Sequence, residues 1–222
     1  LSSLLGGLVE KFAARGYSLY LVGGSVRDAL LGRLGNDLDF TTPARPEVVK
    51  EILDEWAETV WDTGIDFGTV SAAYKGQQIE ITTFRSDSYD GQSRNPEVVY
   101  GDTLEGDLVR RDFKANAMAI ELLADASFKF HDPLHGLQDI ADRVLDTPDK
   151  PEISFHDDPL RMLRAARFAS QLEFRVADRV VEAMRDMAGE IQRITVERVQ
   201  VELDKLICGT SPWDGIDLLV ST

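Results

Sequence analysis

The chain has 222 residues, enough for one or two domains with a sizeable core. Its 43% hydrophobic and 28% charged residues are typical of a globular protein and argue against a largely disordered one. A net charge of −15 argues against nonspecific nucleic-acid binding over the whole surface. Local basic sites remain open, because arginines cluster at Arg110–Arg111 and at Arg161, Arg164 and Arg167.

Two further features indicate where the protein is located and whether it contains a disulfide. No apolar run approaches the roughly 20 residues that a membrane-spanning helix needs. The single cysteine, Cys208, excludes an internal disulfide and predicts a cytoplasmic protein, with the thiol as a small buried residue on a helix. The chain begins with Leu1 and ends in the apolar stretch 216–220, so we expect it to be part of a longer protein.

The first two thirds of the chain predict a mixture of helices and strands. In chain order, the predicted elements are a helix over 4–14, a strand over 19–22, a helix over 26–31 that Gly32 ends, a strand over 36–42, a helix opened by Pro46, a hairpin of strands 67–74 and 78–84, ordered structure over 107–123 and a short strand over 128–131. The polar stretch 86–105 predicts a mobile surface loop.

The last third predicts helices alone, over 157–168, 177–187 and 195–207, with no strand between them. The change of pattern near 148 predicts a domain boundary, with a head over 1–148 and a neck over 149–222. The predicted fold class is therefore α+β, with an α+β head followed by an all-helical neck.

The stretch from Leu19 to Thr42 contains the first candidate site. Gly23–Gly24 lets the backbone turn tightly after the first strand, and Ser25 is a good N-cap for the following helix. Exposed N–H groups at such a turn favour an anion such as a phosphate. The turn lacks the residues of a Walker loop and the spacing of a dinucleotide-binding fingerprint.

Two carboxylates follow on the next strand. Asp37 and Asp39 alternate with Leu38 and Phe40, so the carboxylates share one face of the strand and the apolar side chains share the other. Neighbouring carboxylates repel each other unless a cation lies between them, and such a pair suits two magnesium ions. Glu80, on a later predicted strand, would complete the cluster if the strands align. The alternative is a solvated strand face.

Three charged motifs have both a functional and a purely structural interpretation. Arg27–Asp28 either binds a phosphate through an arginine that the aspartate fixes, or forms an exposed helical ion pair. Arg110–Arg111–Asp112, followed by Asn116, either contacts a triphosphate from a helix or is a generic charged patch. Asp157–Asp158–Pro159 also has two interpretations. In the structural one, Asp157 and Asp158 cap a helix that begins at Pro159. In the functional one, Asp158 and Arg161 lie on one helix face and match the Watson–Crick edge of a base.

The three histidines raise one competing enzyme class. His131–Asp132 and His156–Asp157, with His135, are reminiscent of a metal-dependent phosphohydrolase. Such a site needs a further histidine upstream and an aspartate on packed helices, whereas His131 ends a predicted strand. No cysteine cluster indicates zinc, and no Ser-His-Asp arrangement is evident.

Taken together, these motifs resemble the class II tRNA nucleotidyltransferase and bacterial poly(A) polymerase family of the DNA polymerase β superfamily. The resemblance spans nearly the whole chain and lies in segments 21–32, 37–42, 110–119, 157–168, 193–198 and 202–203. It implies a polymerase-β-like head, with a mixed sheet flanked by helices, and a helical neck. It also implies template-independent addition of CMP and AMP to the 3′ end of tRNA, with CTP and ATP as substrates.

The resemblance further implies roles for particular residues. Asp37 and Asp39 would bind two magnesium ions, with Glu80 as a third catalytic carboxylate. The residues implied for nucleotide binding are Gly23, Gly24, Ser25, Arg27, Arg111, Asp112, Asn116, Asp158, Arg161 and Arg164. Among them, Asp158 and Arg161 would read the base in place of a template, while mobility of the 86–105 loop would let one pocket accept both CTP and ATP.

The chain departs from the family pattern at three points. Asp157–Asp158 stands where the family usually has Glu-Asp, and Lys114–Ala115 replaces a threonine and an apolar residue. The family's downstream body and tail, which grip tRNA, are missing.

Several alternatives to CCA addition stay open. Poly(A) addition to RNA 3′ ends, or addition of CC or A alone to tRNA, would use the same chemistry as CCA addition. A noncatalytic RNA-binding module is a different class, against which the intact Asp37/Asp39 pair argues. The sequence predicts no oligomeric state.

Overall fold

The computed structural model describes residues 5, 7–85 and 99–222. By its internal contacts the chain divides into two compact units. The first, here called the head unit, comprises Leu1–Arg110 and Asn116–Pro133; the second, the neck unit, comprises Arg111–Ala115 and Leu134–Thr222. Residues 134–148, which the sequence pattern assigned to the head, belong to the neck unit because a strand within them pairs with a later strand of that unit.

The head unit is built on one seven-stranded sheet. Its strands are β1 (Leu19–Val22), β2 (Asp37–Thr42), β3 (Thr59–Trp61), β4 (Thr69–Tyr74), β5 (Gln77–Thr83), β6 (Ala119–Leu122) and β7 (Phe128–His131). They lie in the order β3–β4–β5–β2–β1–β6–β7. The pair β2–β5 is parallel and the other neighbouring pairs are antiparallel, so the sheet is mixed, as predicted.

One face of this sheet is apolar and buried. Leu38 and Phe40 of β2 lie beside Ile79 and Ile81 of β5, and all four are buried. The helices of the head unit are α1 (Leu8–Ala14), α2 (Gly24–Leu30), α3 (Pro46–Asp54) and α4 (Leu104–Val109). Because side chains alternate along a strand, burial of one face leaves the carboxylates of β2 and β5 on the other.

Several local predictions for the head are confirmed. Strands β1 and β7 have the predicted bounds, and Gly32, with a φ of 71°, follows the end of α2. The hairpin turns at Lys75 and Gly76, both with positive φ, which suits a two-residue turn between twisted strands. Strand β3, with only three residues, was not predicted.

The polar stretch 86–105 is only partly as predicted. Residues 86–98 lie outside the described part of the chain, so the loop prediction there is not tested. Within the described remainder, Tyr100 forms an antiparallel bridge with Arg85. Helix α4 begins at Leu104, inside the predicted loop, because Thr103 accepts a hydrogen bond from the backbone N–H of Gly106 through its hydroxyl and caps the helix.

The neck unit is mainly helical. Its elements are α5 (Gly136–Asp142), β8 (Val144–Leu145), α6 (Pro151–Asp157), α7 (Leu160–Leu172), β9 (Arg175–Val176), α8 (Asp178–Met187), α9 (Val196–Ile207) and α10 (Pro212–Ser221). Phe155, Phe168 and Met184 lie in its buried core, together with Phe113. Burial of Phe113 in this core explains why the segment Arg111–Ala115 belongs to the neck unit.

Three expectations for the neck are corrected. The parallel pair β8–β9 places a short strand between α7 and α8, where only helices were predicted. The predicted helix 157–168 is interrupted at Asp158–Pro159, since a proline has no N–H to continue the hydrogen bonds of α6. Cys208 is exposed, because it lies at the C-cap of α9 rather than on its buried side.

Within the described residues, no helix combines the length and the apolar composition that crossing a membrane requires.

Candidate functional site

The glycine turn of the head unit is tied directly to the strand that carries the carboxylates. Gly23 has a φ of 67° and is the N-cap of α2, which begins at Gly24. Ser25 is therefore inside the helix and is not its N-cap, which corrects the sequence prediction. Its buried hydroxyl accepts a hydrogen bond from the backbone N–H of Asp39 at 2.9 Å and donates one to the backbone oxygen of Asp37 at 3.3 Å.

Asp37 and Asp39 both lie on the exposed face of β2, as the alternation predicted. Leu38 and Phe40, between and after them, point into the core. Two carboxylates on one exposed strand face are oxygen donors of the kind that magnesium prefers, and magnesium commonly takes only one or two protein carboxylates when phosphate oxygens supply other ligands. The two side chains therefore fit a magnesium ion that is shared with a nucleotide.

Glu80 is aligned with Asp39 but does not complete a metal cluster. The two residues are register partners on the parallel strands β5 and β2, so their side chains leave the same face of the sheet. The carboxylate of Glu80 lies 3.5 Å from the hydroxyl of Ser71. Among the residues that the structure describes, no group of three or more His, Cys, Asp or Glu is arranged to hold a metal ion.

Arg27 is buried in the head unit, where Asp28 and Asn116 hold its guanidinium. Its Nε and Nη2 donate to the two carboxylate oxygens of Asp28 at 2.9 and 3.0 Å, and its Nη1 donates to Asn116 Oδ1 at 2.7 Å. Only 7% of the residue is exposed. The expected fixing of Arg27 by Asp28 is thus present, and the interpretation as an exposed ion pair is wrong. The predicted contact of Arg27 with a phosphate stays a prediction.

In the neck unit, Asp112 and Arg164 form a close ion pair. Arg164 Nε and Nη2 both donate to Asp112 Oδ2, at 2.8 and 2.5 Å. A second carboxylate, Glu202 of α9, lies 3.8 Å from Arg164 Nη1. Burial disfavours the charged form of Arg164, but the carboxylates of Asp112, Glu202 and Asp158 outweigh it, and the pKa of Arg164 is raised.

The predicted base-reading pair of the neck unit is arranged differently from expectation. Asp158 precedes α7 with extended backbone and is not on a helix face with Arg161. Its Oδ1 accepts the backbone N–H of Leu160 at 3.1 Å and its Oδ2 accepts Arg198 Nη2 at 2.9 Å. Arg161 Nη1 donates instead to the hydroxyl of Ser154 at 2.8 Å.

The residues of the predicted motif 110–116 are divided between the two units. Arg110 is the C-cap of α4 and belongs to the head unit, whereas Arg111 belongs to the neck unit. The two arginines therefore do not project from a helix, because α4 ends at Val109. Asn116 is in the head unit beside Arg27, while Asp112 is in the neck unit beside Arg164.

The histidines do not form the site that a His-Asp phosphohydrolase needs. His131 Nε2 lies 3.0 Å from Glu121 Oε2, and the His131 and Tyr20 rings meet edge to face on the sheet. His135 is the N-cap of α5, and His156 is in the last turn of α6. With no suitable metal group in the described part of the chain, these residues give that alternative no support.

Two residues near the predicted site were not singled out from the sequence. Arg198 and Glu202 contact Asp158 and Arg164, yet they entered the sequence analysis only within a family signature. The local sequence signal for these two contacts is an oppositely charged pair four residues apart on an amphipathic helix. Such a pair is equally typical of an ordinary exposed helix face, so it does not by itself indicate a site. Their partners lie far away in sequence, so the contacts become visible only in the folded neck unit.

Comparison with known proteins gives two family matches. Residues 19–146 match the poly A polymerase head domain, and residues 173–222 match a domain described as the probable RNA and SrmB-binding site of polymerase A. The CCA-adding enzyme of Listeria innocua is 41% identical over 96% of this chain and 52% of its own length. That of Enterococcus faecalis is 37% identical over 97% of this chain and 51% of its length.

Solved structures agree with these matches. The Bacillus stearothermophilus CCA-adding enzyme in complex with CTP has a TM-score of 0.85 and 36% identity, covering 100% of this chain and 52% of that one. The Thermotoga maritima CCA-adding enzyme complexed with tRNA has a TM-score of 0.76 and 29% identity, covering 96% of this chain and 48% of that one. The chain spans about half the length of these relatives. The mixed sheet and the helical C-terminal region agree with these matches, and the family resemblance seen in the sequence is confirmed. The chain therefore belongs to the poly A polymerase head-domain family.

Proposed function

We propose that this chain is the nucleotidyltransferase part of an enzyme that adds CMP and AMP, without a template, to complete CCA at the 3′ end of tRNA. The observation that carries the proposal is the pair Asp37/Asp39, exposed on one strand face and fixed to the glycine turn by Ser25. A noncatalytic RNA-binding module would have no use for this arrangement. The CCA-adding enzymes among its relatives support the choice of tRNA.

In the proposed reaction the 3′-hydroxyl of the RNA attacks the α-phosphate of a nucleoside triphosphate in line, and pyrophosphate leaves. Asp37 and Asp39 would hold two magnesium ions, which when bound supply positive charge to the triphosphate and the attacking oxygen. We assign Glu80, the register partner of Asp39, as a third catalytic carboxylate on the same face of the sheet, but not as a metal ligand. Ser25 fixes the backbone at Asp39, so the carboxylate starts from a defined position.

The triphosphate is assigned to the turn of Gly23, Gly24 and Ser25, where the backbone N–H groups that begin α2 lie beside β2. Gly24 carries no side chain, and a Cβ at this position would lie 3.4 Å from Nη2 of Arg27, whose guanidinium Asp28 and Asn116 hold. A buried cation behind the turn favours a triphosphate electrostatically. We assign Arg27 to this role in the head unit, and we assign Asn116, which accepts a hydrogen bond from Arg27 Nη1 at 2.7 Å, to nucleotide binding beside it.

In the neck unit we assign Arg111, Asp112 and Arg164 to nucleotide binding and Asp158 and Arg161 to the choice of base. Asp158 offers carboxylate acceptors and Arg161 a donor fork, the chemistry that matches the edges of cytosine and adenine. Relatives have been solved with CTP, and with a primer tRNA and an ATP analogue, which supports CTP, ATP and the tRNA 3′ end as the ligands. A cytoplasmic location is consistent with the single, exposed cysteine.

Poly(A) addition would use the same residues, so one experiment has to distinguish it from CCA addition. The full-length protein containing this chain is incubated with magnesium and tRNA lacking its terminal CCA, with each nucleoside triphosphate alone and with CTP and ATP together. Sequencing of the products is expected to show CCA. Tails of A alone would favour poly(A) addition, and CC or a single A would indicate a partial specificity. No incorporation of any nucleotide would contradict the proposal.

A further inference from the structure

A row of register partners crosses the head sheet from Asp39 to Trp61. Asp39 of β2 lies opposite Glu80 of β5. Glu80 lies opposite Ser71 of β4, which in turn lies opposite Trp61 of β3. Side chains of register partners leave the same face of a sheet. Building on the proposed function, we propose that the Trp61 ring is a stacking platform for an unpaired base of the RNA substrate, close behind its 3′ end.

Trp61 belongs to the open face of the sheet and not to its core. Its neighbour Val60 lies opposite the buried Ala72, so Val60 is on the apolar face and Trp61 is on the face of the carboxylates. Trp61 lies on the edge strand and is 44% exposed. The ring of Trp56, by contrast, lies 4.0 Å from that of Tyr74. Among the described residues Trp61 has no such ring partner and no side-chain hydrogen bond, so its aromatic surface is available to a ligand.

The chemistry of this face favours base stacking over phosphate contacts. Three register rows cross this part of the sheet, namely Thr41, Thr82 and Thr69; Asp39, Glu80, Ser71 and Trp61; and Asp37, Gln78, Ala73 and Thr59. These rows contain no lysine or arginine that could pair with an RNA phosphate. An indole ring can stack on any base, because every base has a π-face. Such a platform accepts whichever base lies over it during the successive additions.

The position of Trp61 limits which nucleotide can reach it. Neighbouring strands are about 4.8 Å apart, so three steps across the sheet place Trp61 about 14 Å from Asp39. The attacking 3′-hydroxyl must lie at Asp39, and stacked nucleotides advance about 3.4 Å each. The base over Trp61 therefore belongs to roughly the fourth nucleotide from the 3′ end, or to a nearer one if the strand is more extended.

Coverage of Trp61 by another part of the full-length protein would also use its exposed ring. The two explanations differ in their effect on stability. Removal of a tryptophan that protein covers leaves a cavity and lowers Tm, whereas a ring that is open to solvent until RNA binds contributes little to folding. The Tm of a Trp61 variant therefore separates the two.

The experiment uses the full-length protein with Trp61→Ala and Trp61→Phe, and with Phe128→Ala as the matched control. Phe128 is 71% exposed on β7, at the opposite edge of the sheet and on its apolar face. The probe is tRNA lacking its terminal A, titrated without nucleotide at several salt concentrations. We expect Trp61→Ala to raise the Kd of this RNA about 10-fold, within the range for one lost base stack. Trp61→Phe should recover part of the loss, and Phe128→Ala should have no effect.

Three further readouts separate stacking from a general effect. The slope of log Kd against log salt concentration should stay unchanged in Trp61→Ala, because no phosphate contact is lost. The Kd of CTP and the Tm should match those of the wild type. An abasic nucleotide, introduced at each 3′-terminal position of the RNA in turn, locates the contact. At one position, no more than about four nucleotides from the 3′ end, Trp61→Ala should add no further loss of affinity.

The outcomes distinguish this inference from the proposed function. Wild-type RNA affinity in Trp61→Ala, or an equal additional loss at every abasic position, overturns the inference while the proposed function stands. A lower Tm with unchanged RNA affinity also overturns it, because protein and not RNA then covers the ring. A wild-type protein that incorporates no nucleotide overturns the proposed function and the inference with it.

Discussion

The hydroxyl of Ser25 accepts a hydrogen bond from the backbone N–H of Asp39 at 2.9 Å, across 14 positions of sequence. The same hydroxyl donates to the backbone oxygen of Asp37 at 3.3 Å. One buried side chain of α2 thereby fixes the backbone on both sides of Leu38. The glycine turn and the two carboxylates are one rigid structure rather than two neighbouring motifs.

Ser25→Ala is expected to reduce the rate of nucleotide incorporation more than it reduces stability. Loss of the hydroxyl leaves the N–H of Asp39 without this acceptor and costs about 1 kcal/mol. Because the carboxylates then lose their fixed position, we expect kcat to fall about 10-fold. Steady-state kinetics and urea unfolding measure the two effects. Ser211→Ala is the control, since the Ser211 side chain makes no cap hydrogen bond. An unchanged kcat would contradict the positioning role of Ser25.

Asp39→Asn is expected to abolish nucleotide incorporation while the fold is kept. The amide has nearly the shape of the carboxylate but lacks the charge that a divalent cation requires, and we expect a loss of at least about 1,000-fold in kcat/KM. Circular dichroism and Tm should match the wild type, since Asp39 is exposed. Asp54→Asn, an exposed carboxylate paired with Lys50 on α3, should keep full activity. Normal turnover of Asp39→Asn would remove the proposed metal site.

Gly23→Ala is expected to destabilise the head unit. Gly23 has φ 67° and ψ −140°, a conformation that is essentially restricted to glycine. A Cβ there costs about 2 kcal/mol, and a shift of the turn would also weaken triphosphate binding. Gly35→Ala is the matched control, because its φ is not in the positive range and a Cβ meets nothing within 4 Å. Equal free energies of unfolding for the two variants would contradict this account.

Asp146→Asn is expected to destabilise the protein in a pH-dependent way. Asp146 accepts hydrogen bonds from Lys114 Nζ and Arg179 Nε, both at 2.7 Å. Burial alone would raise the pKa of Asp146, but these two cations outweigh it and lower the pKa below its ordinary value. A carboxyl with a lowered pKa stabilises the folded state above its unfolded pKa, and that stability is lost as the pH falls through the folded pKa.

The difference in free energy of unfolding between wild type and Asp146→Asn should therefore be largest near pH 7, at about 2 kcal/mol. It should shrink once the pH falls below the ordinary carboxyl value of 3.8. Urea unfolding at several pH values measures it. Asp186→Asn, an exposed carboxylate on α8, provides the baseline. A difference that stays constant down to pH 3 would show that the charge of Asp146 is not the cause.

Much of the head unit could be predicted because its signals are local. The alternation in Asp37–Thr42 correctly separates carboxylates from core residues, since a strand has a period of two. The run Leu19–Val22 and the glycines after it correctly give a strand and a turn. The role of Ser25 could not be predicted, because a serine after a glycine turn is equally suited to cap a helix, and its actual partners lie on another strand.

The amino-acid sequence by itself determined the family, the mixed α+β class and the exposed Asp37/Asp39 pair, because motif order and periodicity are properties of neighbouring residues. Only the tertiary structure decided that β2 and β5 run parallel with Asp39 opposite Glu80, and that Asp158 and Arg164 are held by α9. These contacts join residues that are 38 to 41 positions apart. Their register depends on how whole elements pack, and local sequence patterns do not encode it.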